Sequence, residues 1–377
     1  MARMLAPGEP TPWFHAQAMN GSSNYAFDTA AGRYILLLFL DSAGTGEAQA
    51  ALALLRAHRA LFDDDRACFF GVSADPEDEA TGRIAPLLPG IRWFLDYDRR
   101  ITTLYGGATG WVLLDPLLRV VRHTGLGDGA AVLNMLAGLV AAPLLVDSFA
   151  PVLVIPGVLS RELCCELIQV YDRNGGRESG FMREENGITV ARFDHRHKRR
   201  ADHLIKDDAL IERLKVRVAL ALCPMIKRAF QFDATRIERF LVACYDAEHG
   251  GHFRAHRDNT TAGTAHRKFA VTINLNADDY DGGDLRFPEF GPRTYRAPTG
   301  GAVVFSCSLL HEARPVTRGK RYAFLPFLYD DESARLRERN LAFVSPELQR
   351  YRSGLDTSAN AAPVTSPSST SPVAACP

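Results

Sequence analysis

The chain has 377 residues, and at about 150 residues per domain this length points to two domains and a tail. Hydrophobic residues make up 46% and charged residues 23%, enough apolar side chain for two cores, which excludes wholesale disorder. Lys plus Arg and Asp plus Glu both number 44, so no global attraction to nucleic acid or an anionic membrane is expected, and any such binding must be local.

The first residues, MARMLAPGEPTPWF, lack the basic flank and apolar stretch of a secretory signal. The cysteines Cys68, Cys164, Cys165, Cys223, Cys244, Cys307 and Cys376 are scattered without a C-x-x-C. That fits neither a disulfide framework nor a zinc ribbon, and suits a reducing, cytoplasmic setting. The runs YILLLFL (34–40), CFFGVS (68–73) and WVLLD (111–115), with helical periodicity over 47–62, predict an α/β layer with a mostly parallel sheet. Gly44-Thr-Gly46 is not followed by G-K-[S/T], so it reads as a tight strand-to-helix turn. Gly129–Val146 carries no charge for 18 residues, the lower limit for a membrane span. It is alanine-rich, holds Asn134, Gly138 and Pro143, and has no basic cluster at either end. A buried helix is therefore predicted, and no membrane partner.

A second start lies at PVLVIPGVLS (151–160), where Ser160 caps the helix RELCCELIQVYDRN and Gly175-Gly176 ends it. The densest basic segment, Arg192–His203, is predicted as a solvated loop paired with Asp194, Asp202, Asp207 and Asp208. The alternative is a surface that steers an acidic protein, a nucleic acid or a phosphate-bearing substrate. It has no interleaved aromatics for base stacking, so a nucleic-acid partner is not expected. After a helix around 207–230 come FLVACYD, FAVTINLN, GGDLRFPEF, GGAVVFSCS and RYAFLPFLYD, cut by glycine and proline turns. Such spacing indicates an antiparallel sandwich or jelly roll. The last residues, rich in Ser, Thr, Ala and Pro, are expected to be disordered. The domains are thus placed at 1–147 and 148–353, with a β core at about 238–330 and a tail at 354–377.

His256 and Asp258 are separated by one residue, and on a strand such side chains point the same way. A third ligand is needed to hold a divalent metal, and His311, just after GGAVVFSCS, is the candidate. Two histidines and one carboxylate on one face leave positions open, as suits non-heme Fe(II). Arg321 lies among alternating apolar residues Tyr322, Phe324 and Pro326. A buried arginine needs a partner, and a ligand carboxylate is the natural one. Glu312 follows His311, but Pro315 stands where a zinc-protease H-E-x-x-H needs its second histidine. His249, His252 and His266 are read as loop or strand-face residues.

Taken in order, His-x-Asp, FAVTINLN, DYDGGDLRF, Gly300-Gly301 and His311-x-x-x-Pro315-Val316-x-x-Gly319-x-Arg321 resemble the prolyl 4-hydroxylase-like branch of the Fe(II)/2-oxoglutarate-dependent oxygenases, over about 151–330. ACYDAEHGGHFRAHRDN resembles the metal strand of oxygen-sensing prolyl hydroxylases. The resemblance implies an α+β double-stranded β-helix (jelly roll) domain in which His256, Asp258 and His311 bind Fe(II) and Arg321 pairs with the distal carboxylate of 2-oxoglutarate. Tyr245 matches a position that hydrogen-bonds the co-substrate, and Asn274 stands where those hydroxylases carry a second co-substrate tyrosine. The implied activity is hydroxylation of a C–H bond with release of succinate and CO2, ascorbate serving as reductant. A peptidyl prolyl side chain is the favoured substrate, with a small molecule or nucleobase as alternatives.

Residues 6–125 resemble the thioredoxin-like fold of peroxiredoxins, through GEPTPWF, YILLLFLDSAGTGEAQ, FFGVSADPED, WFLDYDRRITTLYG and WVLLDPLLRVVRH. This implies an α/β thioredoxin-like N-terminal domain. The turn Ser42–Glu47 has no cysteine where those enzymes hold a thiolate, and Cys68 is expected to pack in the core. A degenerate redoxin domain would serve binding, homodimerisation or substrate delivery. The rival readings are a metal-binding jelly-roll scaffold or sensor without turnover, and a thiol peroxidase acting through the redoxin-like domain.

Overall fold

In the computed structural model, which describes residues 3–142 and 149–353, the apolar run Tyr34–Leu40 forms β1 at the centre of a five-stranded sheet. The expected tail at 354–377 and the end of the uncharged stretch, 143–148, lie outside the described residues. Contacts group the chain into two units, one running to Ala150 and including Phe287–Arg293, the other Pro151–Arg286 and the chain from Thr294 onward.

In the first unit, β1 is followed by α1 (Gly46–Ala57), β2 (Ala67–Ser73), β3 (Ile91–Leu95), β4 (Gly110–Leu114), β5 (Val120–Thr124) and α2 (Gly129–Ala141). The strand order is β3-β2-β1-β4-β5. β1, β2 and β3 run parallel, while β4 and β5 join antiparallel. The sheet is therefore mixed rather than mostly parallel, because a strand buried on both faces is a continuous apolar run whichever way it points. With α1 and α2, β2-β1-β4-β5 is a thioredoxin-like core. At Gly71 in β2 an added Cβ would sit 2.1 Å from the Trp93 ring, so only glycine admits that indole. Thr45 caps α1 by accepting from Ala48 N, which makes the Gly44–Gly46 segment the expected strand-to-helix turn. At the same turn the fully buried Asp78 carboxylate accepts from Ala43 N at 2.7 Å and Ser73 Oγ at 2.6 Å. α2 buries Val132, Leu133 and Leu136. Among the described residues no helix is long and apolar enough to cross a membrane.

Cys68 lies on β2 with 1% of its surface exposed, and burial pushes its thiol up to about 12. A thiolate is the reacting species. Native Cys68 is expected to resist iodoacetamide at mildly alkaline pH and to react fully once guanidinium unfolds the chain, read by mass spectrometry.

The second unit opens with β6 (Leu153–Ile155) and α3 (Arg161–Asn174). Ser160 caps α3 by accepting from Leu163 N, and Gly175 at φ 72° ends it. Next come β7 (Phe181–Glu185) and β8 (Ile188–Arg192), which form a separate hairpin, then β9 (Lys198–Arg199), β10 (Ala201–Leu204) and α4 (Asp208–Arg217). A π-turn at Val218–Leu222 joins α4 to α5 (Cys223–Phe230), just ahead of Pro224, which lacks the N–H needed to continue a regular ladder. The remaining strands are β11 (Arg236–Glu238), β12 (Leu241–Asp246), β13 (His252–His256), β14 (Phe269–Asn274), β15 (Leu285–Arg286), β16 (Thr294–Tyr295), β17 (Ala302–Ser306), β18 (His311–Ala313), β19 (Lys320–Phe324) and β20 (Phe327–Tyr329).

These strands pair antiparallel in two sheets. The smaller runs β9-β13-β18-β15-β16, and the larger contains β11-β20-β14-β19-β12-β10, with β17 bridging β14 and β6. This is the α+β jelly-roll architecture. Leu163, Leu167, Leu210, Leu214 and Ile226 of the helices pack with Val242, Ile273, Val304 and Phe324 of the larger sheet in one buried cluster. The opposite face of that sheet is left for a site.

Candidate metal centre

β13 and β18 are antiparallel neighbours whose register shifts between Phe253 and His256, and this sets His256 opposite His311. Asp258 lies just beyond the end of β13, and its N–H donates to Cys307 O at 3.0 Å. The expected three residues therefore meet although the carboxylate is supplied by the bend after the strand rather than by the strand itself. His256 Nε2 is 3.6 Å from one Asp258 oxygen and His311 Nε2 is 3.3 Å from the other. One ligand atom from each residue lies within 4.8 Å of the others. Nδ1 of His256 donates to Arg254 O at 2.7 Å, and Nδ1 of His311 donates to Leu309 O at 3.0 Å. A carbonyl can only accept, so both rings are set as Nδ1–H tautomers with the Nε2 lone pairs facing Asp258. Burial, then the neighbouring His311, holds His256 down to about 3, so it stays neutral and ready to donate to a metal at neutral pH. Burial opposes ionisation of Asp258, but His311 and His256 outweigh it and keep the carboxyl well below its ordinary range. Two imidazoles and one carboxylate on one face fit a divalent iron ion.

Arg321 on β19 lies opposite Tyr245 on β12, and its guanidinium carbon is 5.0 Å from the Tyr245 ring centroid. Arg321 is 3% exposed. It donates to Gly283 O at 2.6 Å, and its buried Nε has no partner. Gly283, at φ +69°, holds that carbonyl where an added Cβ would meet Val316 at 2.9 Å and Arg321 at 3.1 Å. Arg321 is thus a buried cation with donors to spare, facing the same cavity as the histidines, which suits a carboxylate such as that of 2-oxoglutarate. Tyr245 is also buried, and its hydroxyl accepts from Arg200 at 3.4 Å.

The cavity measures about 110 Å³ and is lined by His256, Asp258, His311, Arg321 and Tyr245 among others. Asn274 is a correction: it is not among the lining residues. Its amide is turned away to donate to Ala297 O at 2.7 Å, and Thr272 on the same strand faces the cavity instead. The basic run is a second correction. Arg192 and Arg196 lie in water with Glu185 and Asp194, but Lys198 and Arg200 are buried and line the cavity. The pairing of β9 with β13 sets Lys198 opposite Phe253, so alternate residues of the run turn inward. His266 sits in a turn, as expected, where it is fully buried and bonds Glu238 at 2.7 Å.

Glu238 also accepts from Arg267 at 2.7 and 3.0 Å, and Arg267 reaches the backbone oxygen of Asp258 at 3.4 Å. Burial disfavours the Glu238 carboxylate, yet Arg267 and then His266 keep it well below its ordinary range. Its contribution to stability is present above the unfolded carboxyl value of about 4.3 and is lost as pH falls through the depressed folded value. Glu238→Gln strands a buried arginine and is expected to cost about 3–5 kcal/mol, measured by guanidinium unfolding at neutral pH. The gap from wild type should narrow in acid.

Residues 240–329 match the 2OG-Fe(II) oxygenase superfamily model. A PKHD-type hydroxylase of Synechococcus sp. is 36% identical over 93 residues, 23% of this chain and 41% of the relative. The chain thus spans about two fifths of the first such relatives. A PKHD-type hydroxylase of Verminephrobacter eiseniae is 31% identical over 153 residues, 34% of this chain and 67% of that protein. The chain belongs to the 2OG-Fe(II) oxygenase superfamily. Among solved structures, a Trichoplax adhaerens prolyl hydroxylase in complex with a hypoxia inducible factor oxygen degradation domain peptide aligns with this chain at a TM-score of 0.40 and 19% identity, over 49% of this chain and 86% of that one.

Proposed function

We propose that the second unit is a 2-oxoglutarate-dependent dioxygenase that hydroxylates a C–H bond, with His256, Asp258 and His311 holding Fe(II). The observation that carries this reading is the convergence of two Nε2 atoms and one carboxylate within 4.8 Å, beside a buried arginine whose Nε is unpartnered. Bound iron and 2-oxoglutarate would activate dioxygen, the oxidant, one of whose oxygen atoms would pass to succinate as CO2 leaves and the other to the substrate C–H bond. The chain's residues bind, orient and exclude water. Arg321 takes the distal carboxylate, and Tyr245 backs the guanidinium with its ring face. Nδ1–H bonds to Arg254 and Leu309 fix the imidazoles. Phe253 stacks on His256 at 3.5 Å between centroids and keeps that side of the centre dry.

A larger cavity of about 580 Å³ shares Gly180, Met182, Arg239 and Arg267 with the metal cavity. It supports a substrate presented on a longer chain, and a peptidyl prolyl side chain is the class favoured by the likeness of the metal strand to prolyl hydroxylases. Ascorbate as reductant, a cytoplasmic setting and homodimerisation through the redoxin-like unit belong to the same reading. The test is succinate formation by purified protein with Fe(II), ascorbate and 2-oxoglutarate under air, against His256→Ala. Metal-dependent succinate that vanishes in the variant supports the reading. Absence of succinate, together with no 2-oxoglutarate binding by the metal-loaded protein, leaves a scaffold instead.

A further inference from the structure

The metal cavity carries more positive charge than its proposed contents use. Asp202 neutralises Arg200 at 2.7 Å and Glu238 neutralises Arg267. Iron, Asp258, the two carboxylates of 2-oxoglutarate and Arg321 cancel among themselves. Lys198 and Arg239, both lining the cavity, make no ion pair among the described residues. Arg239 donates to Leu325 O at 3.0 Å and lies 4.1 Å from the Phe327 ring centroid. Lys198 is 5% exposed. Its Nζ donates to Ser179 Oγ at 2.8 Å and Gly180 O at 2.6 Å, two neutral acceptors for a group with three donors. Arg200, 8% exposed, lines the same wall with its Nε unpartnered. A buried ammonium without a counter-charge is costly, and burial together with Arg200 pulls Lys198 well below the ordinary lysine range. An anion delivered to Nζ reverses both effects.

The position of Lys198 gives this surplus a meaning. Its Nζ stands 4.7 Å from the centroid of the Phe253 ring, which stacks directly on His256. A group held by Lys198 is therefore one aromatic ring away from a metal ligand. Arg321, by contrast, stands against Tyr245. We propose that Lys198, backed by Arg200 and Arg239, forms a second anion subsite that takes a carboxylate or phosphate of the substrate, so that the hydroxylated carbon lies a few bonds from an anionic group. This rests on the dioxygenase reading and narrows its substrate class: a prolyl substrate here would carry a nearby acidic group rather than sit in a neutral sequence.

The experiment uses the full chain loaded with Ni(II), which does not support turnover, and 2-oxoglutarate. Acetate and inorganic phosphate are titrated separately, with melting temperature and calorimetry as readouts. Wild type is expected to show a saturable response to at least one of them, tighter for acetate if the natural group is a carboxylate and for phosphate if it is a phosphate ester. Lys198→Met should weaken that response by about tenfold or more, equivalent to at least about 1.4 kcal/mol, with 2-oxoglutarate affinity unchanged. Lys198→Gln, which keeps a donor for Ser179 and Gly180, should behave the same way and guards against a folding defect. No saturable response in wild type, or an equal response in the variants, overturns the subsite, since the anion would then be on the metal or the surface. Loss of 2-oxoglutarate binding in the variants also overturns it, because Lys198 would then belong to the co-substrate site. If wild type fails to bind Ni(II) with 2-oxoglutarate before any anion is added, the dioxygenase reading itself fails and the subsite with it.

Discussion

Replacing His311 by alanine is expected to abolish metal-dependent succinate formation and to weaken metal binding by well over the roughly 10- to 100-fold that outer-shell changes cost. The reason is the economy of the centre: three side chains supply all its protein ligands, and no fourth His, Cys, Asp or Glu joins the cluster among the described residues. Binding is best followed with Mn(II) by electron paramagnetic resonance, and circular dichroism checks that the fold survives. Alanine at a position 5% exposed leaves a polar void that water can fill, so the fold should hold. Retained Mn(II) binding and turnover would remove His311 from the centre.

For Arg321→Met the expected result is different in kind. Metal binding should persist, while 2-oxoglutarate affinity falls by about 2–4 kcal/mol, roughly 30- to 1,000-fold, the scale for deleting one partner of a buried, hydrogen-bonded charge pair. Arg321→Lys should recover only part of this, because an ammonium cannot offer the planar fork to a carboxylate. Methionine also ends the buried cation's dependence on Gly283 O, so the variant should melt no lower than wild type in the absence of co-substrate. The decisive reading is the split: KM for 2-oxoglutarate rises steeply and kcat at saturation changes little. A fall in kcat with KM unmoved would place Arg321 outside the co-substrate site.

The residues legible in the sequence were those whose chemistry demands a residue type at a spacing. His256, Asp258, His311 and Arg321 could be singled out because a ligand triad and a buried cation have few substitutes. Asn274 illustrates what position alone does not carry. Its strand was readable, yet its amide is captured by Ala297 O, a partner brought in by a loop distant in sequence. Lys198 and Arg200 were hidden for a related reason. Alternating charges read as a solvated face, and only the pairing of β9 with β13 turns them inward. In the first unit, the runs Tyr34–Leu40 and Gly110–Leu114 announced buried strands but not their relative direction, because burial on both faces erases the alternation that would have carried it.

Asp78 bears on the chemistry the first unit can host. Its carboxylate occupies the turn ahead of α1, bound by Ala43 N and Ser73 Oγ, in the neighbourhood where a redoxin would carry its sulfur anion. Arg83 Nη1 lies 3.3 Å from the other Asp78 oxygen, so the carboxylate is held by a cation as well as by those two donors. A cysteine introduced into the Ser42–Glu47 turn would compete with Asp78 for this cation and for the bonds that close the turn, which leaves its thiol little help in ionising.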